Sequence, residues 1–245
     1  MCALQTLNFR YASRIKLIYS IDGYLALANG EVPLGMHWAA RASLELAAFM
    51  NRVVQQLVRI KADSREGWQA KGEQFFRVVA RARYGTSDKE LTTFLRGKGF
   101  GKAMLKPFSI TRCVEDLRKR EGWGDAEVIY DRLSDHVHHN LSSHNASTFG
   151  MRVDTIGRSS GGGGFEMQTA APIMRYAYPT PSTTVRATNY TAPVTLRCVR
   201  CAFDCIKELP ETPYSPAELL EYTGSELGAE IKKPGQDNGF SSLDG

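Results

Sequence analysis

The sequence predicts a mainly α protein, a bundle of about five main helices with an irregular or β-containing insertion before the last long helix. Three observations predict it. Apolar residues recur every three or four positions through most of residues 8–140. Capping-box spacings mark several helix starts. Between residues 142 and 184, Gly, Ser, Thr and Pro dominate and no helical period is present.

The first two helices have clear ends. Residues 8–28 form the first helix, which Asn29-Gly30 ends, and Pro33 opens the second. The second helix has the most regular apolar pattern in the chain, and this pattern predicts its core-facing side. The stripe consists of Ala39, Ala42, Leu46, Phe49, Val53, Leu57 and Ile60. The predicted core also includes Leu133 and Val137.

Two further helices are predicted from capping boxes. Asp63 with Glu66 begins a third helix, and Ser87 with Glu90 begins a short helix over residues 89–96. A flexible, basic, glycine-rich loop follows. The remaining helices are predicted at residues 109–121, 124–140 and 188–209, and in a short last helix marked by Ser215, Pro216 and Glu218.

Length and composition favour one main domain. A chain of 245 residues buries a sizeable core without disulfides or metals. We therefore predict a single helical domain over residues 1–231, with the insertion at 142–184 as part of it. The final segment, 232–245, is predicted to be a disordered tail.

The compartment is predicted to be the cytoplasm. The longest apolar runs are too short to cross a bilayer, so no membrane partner is expected, and the N-terminus lacks a secretory signal. Cys198, Cys201 and Cys205 have helix-face spacing and no second ligand pair, so they are expected to be buried, reduced thiols that bind no zinc. No cofactor is predicted.

Positive charge is concentrated in the middle of the chain. Residues 59–120 contain sixteen Lys or Arg and seven Asp or Glu, a net +9, although the whole chain carries only +5. Such asymmetry is typical of a polyanion-binding surface, and also of solvated helix faces. The basic loop is the predicted RNA contact, through Arg96, Lys98, Lys102 and Lys106.

Four of the five histidines lie between residues 136 and 144. On a helix over residues 125–141, two polar groups of side chains are predicted. The first lies opposite the apolar stripe and contains Arg132, Asp135, His136 and His139. The second lies along the border of that stripe and contains Tyr130, Ser134 and His138.

These residue types favour three alternatives. A neutral imidazole can transfer protons while a guanidinium binds phosphate, which is the chemistry of metal-free RNA cleavage. Two imidazoles at positions i and i+3, with a carboxylate, can instead hold a divalent metal. The third alternative is structural and involves no reaction. The first group is then a solvated helix surface, and the side chains of the second group form hydrogen bonds inside the bundle.

A family resemblance adds to this. The run from Arg132 to His138 is similar to the Arg-x4–6-His motif of the HEPN superfamily (higher eukaryotes and prokaryotes nucleotide-binding domains), and His139 also fits its spacing. The surrounding Tyr-x-x-Leu-Ser-x-x-Val-His block resembles that of bacterial HEPN-like proteins. Arg41 and Glu45 resemble the Arg-x3-Glu that often precedes it.

The resemblance implies an all-helical domain that cleaves or binds RNA, in a defence or toxin-like setting, as a homodimer. It implies that Arg132 contacts the scissile phosphate and that His138 transfers the proton, with His139 as the substitute; no metal takes part. Two alternatives stand beside it. One is a non-catalytic helical interaction module with an unknown protein partner. The other is a metal-dependent hydrolase built on Asp135, His136, His139 and His144.

Overall fold

The protein is mainly helical. A computed structural model describes residues 2–137, 181–215 and 217–218, and within these ranges it contains eight α-helices and no strand. This confirms the prediction of a mainly α protein. The helices are α1 (Cys2–Asn29), α2 (Pro33–Ala62), α3 (Trp68–Tyr84), α4 (Lys89–Gly97), α5 (Lys102–Leu105), α6 (Ile110–Arg118), α7 (Ala126–Val137) and α8 (Pro181–Glu208).

The chain divides into two compact units. The first unit comprises Met1–Tyr11, Val53–Phe108 and Glu208–Gly245, and the second comprises Ala12–Arg52 and Ser109–Lys207. The β-containing insertion predicted at 142–184 lies outside the described residues up to position 180, and its last four residues are helical. The predicted tail lies outside the described residues as well.

In the first unit, α5 packs against α3. The Arg81 guanidinium of α3 donates hydrogen bonds to the carbonyl oxygens of Lys106 and Pro107, at 2.8 and 3.1 Å, and lies 4.2 Å from the centre of the Phe108 ring. Phe75 and Val79 of α3 are buried. The end of α5 is therefore fixed to a helix whose other side faces the core of this unit.

A capping box begins the last described turn of the first unit, as predicted. The Ser215 amide donates to Glu218 Oε2 at 2.8 Å, and the Glu218 amide donates back to Ser215 Oγ at 3.3 Å. Glu218 also forms an ion pair with the buried Lys71 ammonium at 2.5 Å. The hydrogen bonds from Lys71 and Ser215 lower the pKa of Glu218 to about 2.

In the second unit, α1, α2 and α8 share an apolar cluster. Tyr24, Met36 and Ala187, one from each helix, form its buried centre. The Tyr24 hydroxyl is buried too, and it forms a 2.9 Å hydrogen bond with Thr191 Oγ1 of α8. A buried hydroxyl without a hydrogen-bond partner lowers the stability of the fold. The bond to Thr191 therefore allows a tyrosine to pack at the centre of this cluster.

The core-facing side of α2 differs from the predicted stripe. Ala42 is exposed, and Leu46 and Phe49 are only half-buried, whereas Leu44 and Met50 are fully buried. The prediction took one apolar face of the helix as the core side. In the structure, burial extends around α2 to a neighbouring face, because the helix is packed on more than one side.

The other predicted core residues are mostly confirmed. Val53, Leu57 and Leu133 are fully buried, and Val137 is half-buried. Val137 is the last residue of α7 and of this described range.

Two predicted helix caps are wrong, although the helices themselves are confirmed. Helix α3 begins after Gly67, whereas Asp63 accepts hydrogen bonds from Arg65 in the preceding turn. Helix α4 is capped by Asp88, whose carboxylate accepts from the Leu91 amide at 2.9 Å. Asp88 fills the cap position one residue after the predicted Ser87, since both side chains can accept that bond.

The three cysteines of α8 are buried thiols, as predicted, and Cys113 of α6 is buried as well. Cys113, Cys198, Cys201 and Cys205 occur without a disulfide among them. Burial raises the pKa of the Cys198 thiol above its ordinary value. None of the described helices combines the length and the apolar character needed to cross a membrane.

Candidate functional site

Helix α7 carries the predicted site, and its buried face determines where the polar residues lie. Ala126, Ile129 and Leu133 face inward. Arg132 is exposed and His136 is half-buried. His136 was expected on the solvated side with Arg132, but its ring packs against α2.

His136 contacts His37, the fifth histidine of the chain, which no sequence pattern singled out. The ring centres of His37 and His136 are 4.0 Å apart, and the ring planes are tilted by 40°. His37 lies in the first turn of α2, and its Nδ1 is 2.8 Å from the carbonyl oxygen of Pro33. A carbonyl only accepts, so Nδ1 carries the proton. Nε2 of a neutral His37 is therefore the unprotonated ring nitrogen.

Both imidazoles favour the neutral form. Burial lowers the pKa of His37, and the hydrogen bond to Pro33 opposes this. Burial also lowers the pKa of His136; the neighbouring His37 lowers it further, and the charge of Asp135 acts against both effects. At neutral pH the pair can therefore accept protons.

A tyrosine from α8 completes the cluster. The ring centres of His37 and Tyr190 are 6.1 Å apart, with the planes 27° from parallel. Burial raises the pKa of Tyr190, and the positive charge of nearby Arg132 opposes that shift. Two buried atoms here, Tyr190 Oη and His136 Nδ1, lack a hydrogen-bond partner of standard geometry within the part of the chain that is described. His37, His136, Tyr190 and Arg132 are called the His37–His136 site below.

Beside this site, Arg41 of the predicted Arg-x3-Glu motif bonds to Glu45 on its own helix and to Tyr130 on α7, and these contacts are called the Arg41 clamp. Arg41 Nε forms an ion pair with Glu45 at 3.0 Å, and its Nη2 donates to the Tyr130 hydroxyl at 3.2 Å. Ser134 Oγ donates to the Tyr130 carbonyl oxygen at 2.7 Å. Tyr130 and Ser134 are therefore engaged in contacts that hold α7 together and against α2.

The rim of the site includes an exposed aromatic side chain. Trp38 is 51% exposed, and its indole nitrogen lies 3.4 Å from the carbonyl oxygen of His136. Carbonyl groups in the last turn of a helix have no intrahelical partner, so this contact partly satisfies the end of α7.

The predicted catalytic residues are only partly within the described residues. Arg132 is described, whereas His138 and His139 lie outside the described ranges, as does His144 of the metal alternative. Among the described residues, no group of three or more His, Cys, Asp or Glu side chains is arranged to hold a metal ion.

The predicted RNA contacts lie in the first unit and are all exposed. Arg96 is in the last turn of α4, Lys98 follows that helix, and Lys102 and Lys106 lie at the start and just past the end of α5. The His37–His136 site belongs to the second unit.

Comparison of the chain with protein-family models, with curated proteins and with solved structures finds no match.

Proposed function

We propose that the protein is a HEPN-like ribonuclease that cleaves RNA without a metal at the His37–His136 site. The observation that carries the proposal is the contact between two imidazoles that both favour the neutral form, with Arg132 and Tyr190 beside them. His136 supplies a proton acceptor and Arg132 a fixed positive charge.

The proposed reaction begins with proton transfer from a ribose 2′-hydroxyl to neutral His136. The 2′-oxygen then bonds to phosphorus while the bond from phosphorus to the 5′-oxygen breaks. The leaving 5′-oxygen takes a proton from solvent, and solvent then removes the proton from His136. The exposed Arg132 guanidinium stabilises the charge on the phosphate.

This assignment shares Arg132 with the pair inferred from the family resemblance. His138 and His139 stay predictions. Their motif spacing supports them, whereas the contacts of the described residues support His136. The buried His37 is assigned a positioning role, because its ring packs on His136 and its Nδ1 is engaged by Pro33.

The test is cleavage of mixed RNA in excess EDTA by the wild type and by two variants, His136→Ala and Arg132→Ala. Loss of a general base or of the phosphate contact should slow cleavage by roughly 100- to 10,000-fold. Arg186→Ala is the matched control, since Arg186 is an exposed arginine of α8 in the same unit. An intact wild type that cleaves no RNA, or an Arg132→Ala variant as active as Arg186→Ala, would refute the proposal.

A non-catalytic interaction module is the second candidate, and the Arg41 clamp favours it. Three residues of the family-like block and its preceding motif, Arg41, Tyr130 and Ser134, make internal contacts that stabilise the helices. This candidate predicts that His136→Ala lowers the melting temperature and that neither the wild type nor the variant cleaves RNA. A metal-dependent hydrolase using Asp135, His136, His139 and His144 would instead require added divalent cations for activity.

The proposal includes self-association, which the resemblance implies, and α1 offers a surface for it. Five exposed apolar side chains, 50–66% accessible, recur along one arc of about 60° on this helix. They are Leu4, Leu7, Tyr11, Ile18 and Leu25. Such a stripe opposite a buried face is typical of helices that pack on two sides.

Light scattering coupled to size-exclusion chromatography tests self-association. The wild type should elute at about twice its 27.2 kDa chain mass, and Ile18→Glu should shift it toward the monomer. Val185→Glu on α8 is the control, because Val185 is 55% exposed and Ile18 is 54% exposed. A monomeric wild type at high protein concentration would argue against the dimer.

The proposal also includes the architecture, the compartment and the biological setting. The helices are proposed to form one bundle of about five main helices, with a β-containing insertion before α8. The protein is proposed to act in the cytoplasm. A defence or toxin-like role is what the resemblance implies, and the absence of RNA damage on overexpression in a bacterial host would count against it.

A further inference from the structure

The surface formed by α4, α5 and the loop between them is distinct from the His37–His136 site and has a well-fixed base. Leu95 and Leu105 are buried, and the Thr86 amide donates to the Leu105 carbonyl oxygen at 3.0 Å. The Phe100 ring packs on Tyr84, with the ring centres 4.8 Å apart. The outer side chains of this segment are therefore presented from an ordered support in the first unit.

Two large apolar side chains of α4 lie on the outside. Phe94 is 61% exposed and Leu91 is 45% exposed, and they are three positions apart, so they share one side of the helix. Their neighbour Leu95 faces inward. Phe94 is therefore not used by the core of this unit, and its ring is available to a ligand.

The same surface carries a concentration of positive charge without acidic neighbours in sequence. Residues 94–106 include four exposed cations and no Asp or Glu. The Lys98 ammonium lies 5.6 Å from the centre of the Phe94 ring. The nearest preceding acidic residues, the N-cap Asp88 and Glu90 in the first turn of α4, lie at the opposite end of the helix.

We propose that this surface binds single-stranded nucleic acid, with a base stacked on Phe94 and phosphates contacted by Lys98 and the other three cations. Aromatic rings beside cations are the common way of holding single strands, because every base has a π face and every linkage a charge. In a duplex the base faces are already stacked, so Phe94 has no base to contact. The surface is therefore expected to bind single strands more tightly than duplexes.

The binding test uses a probe that cannot be cleaved through a 2′-hydroxyl, so its outcome is independent of the proposed ribonuclease activity. A fluorescent 12-nucleotide oligo-dT, the same length of oligo-U RNA and a 12-base-pair duplex are titrated with the full-length protein, with anisotropy as the readout. Both single strands should bind at least tenfold more tightly than the duplex. Equal affinity for duplex and single strands would overturn the proposal.

Two variants separate stacking from charge. Phe94→Ala should weaken single-strand binding by roughly 5- to 100-fold and leave its salt dependence unchanged. Lys98→Gln should reduce the slope of log affinity against log salt by about 0.7, the value for one phosphate contact on a single strand. Both residues are exposed, so circular dichroism should show an unchanged fold.

A matched control exists on α8. Phe203 is 45% exposed, and the Lys207 ammonium lies 4.4 Å from the centre of its ring, which reproduces the Phe94–Lys98 pair in the second unit. Phe203→Ala should leave oligonucleotide binding unchanged. If Phe94→Ala and Phe203→Ala behave alike, the proposal is wrong.

A basic surface with exposed Leu and Phe side chains can also bind an anionic membrane. Vesicles of phosphatidylcholine and phosphatidylserine (3:1) provide that comparison. Sedimentation of the protein with these vesicles, reduced in Phe94→Ala, together with no oligonucleotide binding at low salt, would overturn the nucleic-acid assignment. No vesicle binding, with tight oligo-dT binding, supports it.

Discussion

Replacing Leu133 by alanine should destabilise the second unit, and the result bears directly on the candidate site. Leu133 is fully buried, and with Ala126 and Ile129 it forms the inward face of α7. That orientation is the reason why Arg132 is exposed and His136 reaches α2. A test of Leu133 burial is therefore also a test of where the site residues lie.

The magnitude follows from the side chain that is removed. Leu133→Ala deletes three carbon atoms from a site with 0% exposure, and burial contributes about 0.8 kcal/mol for each buried methylene, or about 2.4 kcal/mol in total. The cavity that remains raises the cost, so the full loss is expected at about 2.5–5 kcal/mol. For a chain of this size, each kcal/mol lowers the melting temperature by roughly 2–4 °C.

Urea unfolding followed by circular dichroism, with thermal melts alongside, measures the loss. Val128→Ala is the matched control because Val128 lies on the same helix and is 54% exposed. That change should alter the free energy of unfolding by no more than about 0.5 kcal/mol. Similar effects of the two substitutions would mean that the inward face of α7 is misassigned, and the positions of Arg132 and His136 with it.

Three other predictions follow from the structure. The pKa values of His37 and His136 are lower in the folded protein than in the unfolded chain, so the unfolded chain binds protons first as the pH falls below about 6.5. The free energy of unfolding should therefore decrease below that pH and stay constant above about pH 7.5. In His136→Asn, the decrease of the free energy of unfolding at acid pH should be smaller. In a double-mutant cycle, Arg41→Lys and Tyr130→Phe should couple by about 0.5–1.5 kcal/mol, and strict additivity would exclude their hydrogen bond. Cys198 should resist iodoacetamide in the native protein and react in urea, as peptide mass spectrometry can show; rapid native alkylation would contradict its burial.

The helices were largely predictable because their signals are local. Apolar periodicity identified α2 almost to its ends, and the predicted N-cap Ser215 and N3 Glu218 form reciprocal hydrogen bonds. Local signals also explain the errors. Asp88 and Ser87 can both cap α4, and sequence spacing does not decide between them. The earlier start of α8 adds Ser, Thr and Val residues of weak helical preference, which tertiary packing holds in the helix.

The face of a helix that packs inward is a property of its neighbours. Leu44 and Met50 are fully buried while Leu46 and Phe49 are half-buried, although all four are apolar. Periodicity identifies a helix that has an apolar side. When a helix is packed on two sides, no single apolar stripe contains all of its buried residues.

The candidate site shows the same division. The sequence by itself determined that α7 is a helix, that Arg132 is on its exposed side and that a histidine-rich segment follows. Only the tertiary structure decided that His136 meets His37, about one hundred residues away, and that Tyr190 joins them from α8. Spacing rules describe side chains on one element, whereas these three rings are brought together by the packing of α2, α7 and α8, and burial in that packing lowers the pKa of both imidazoles.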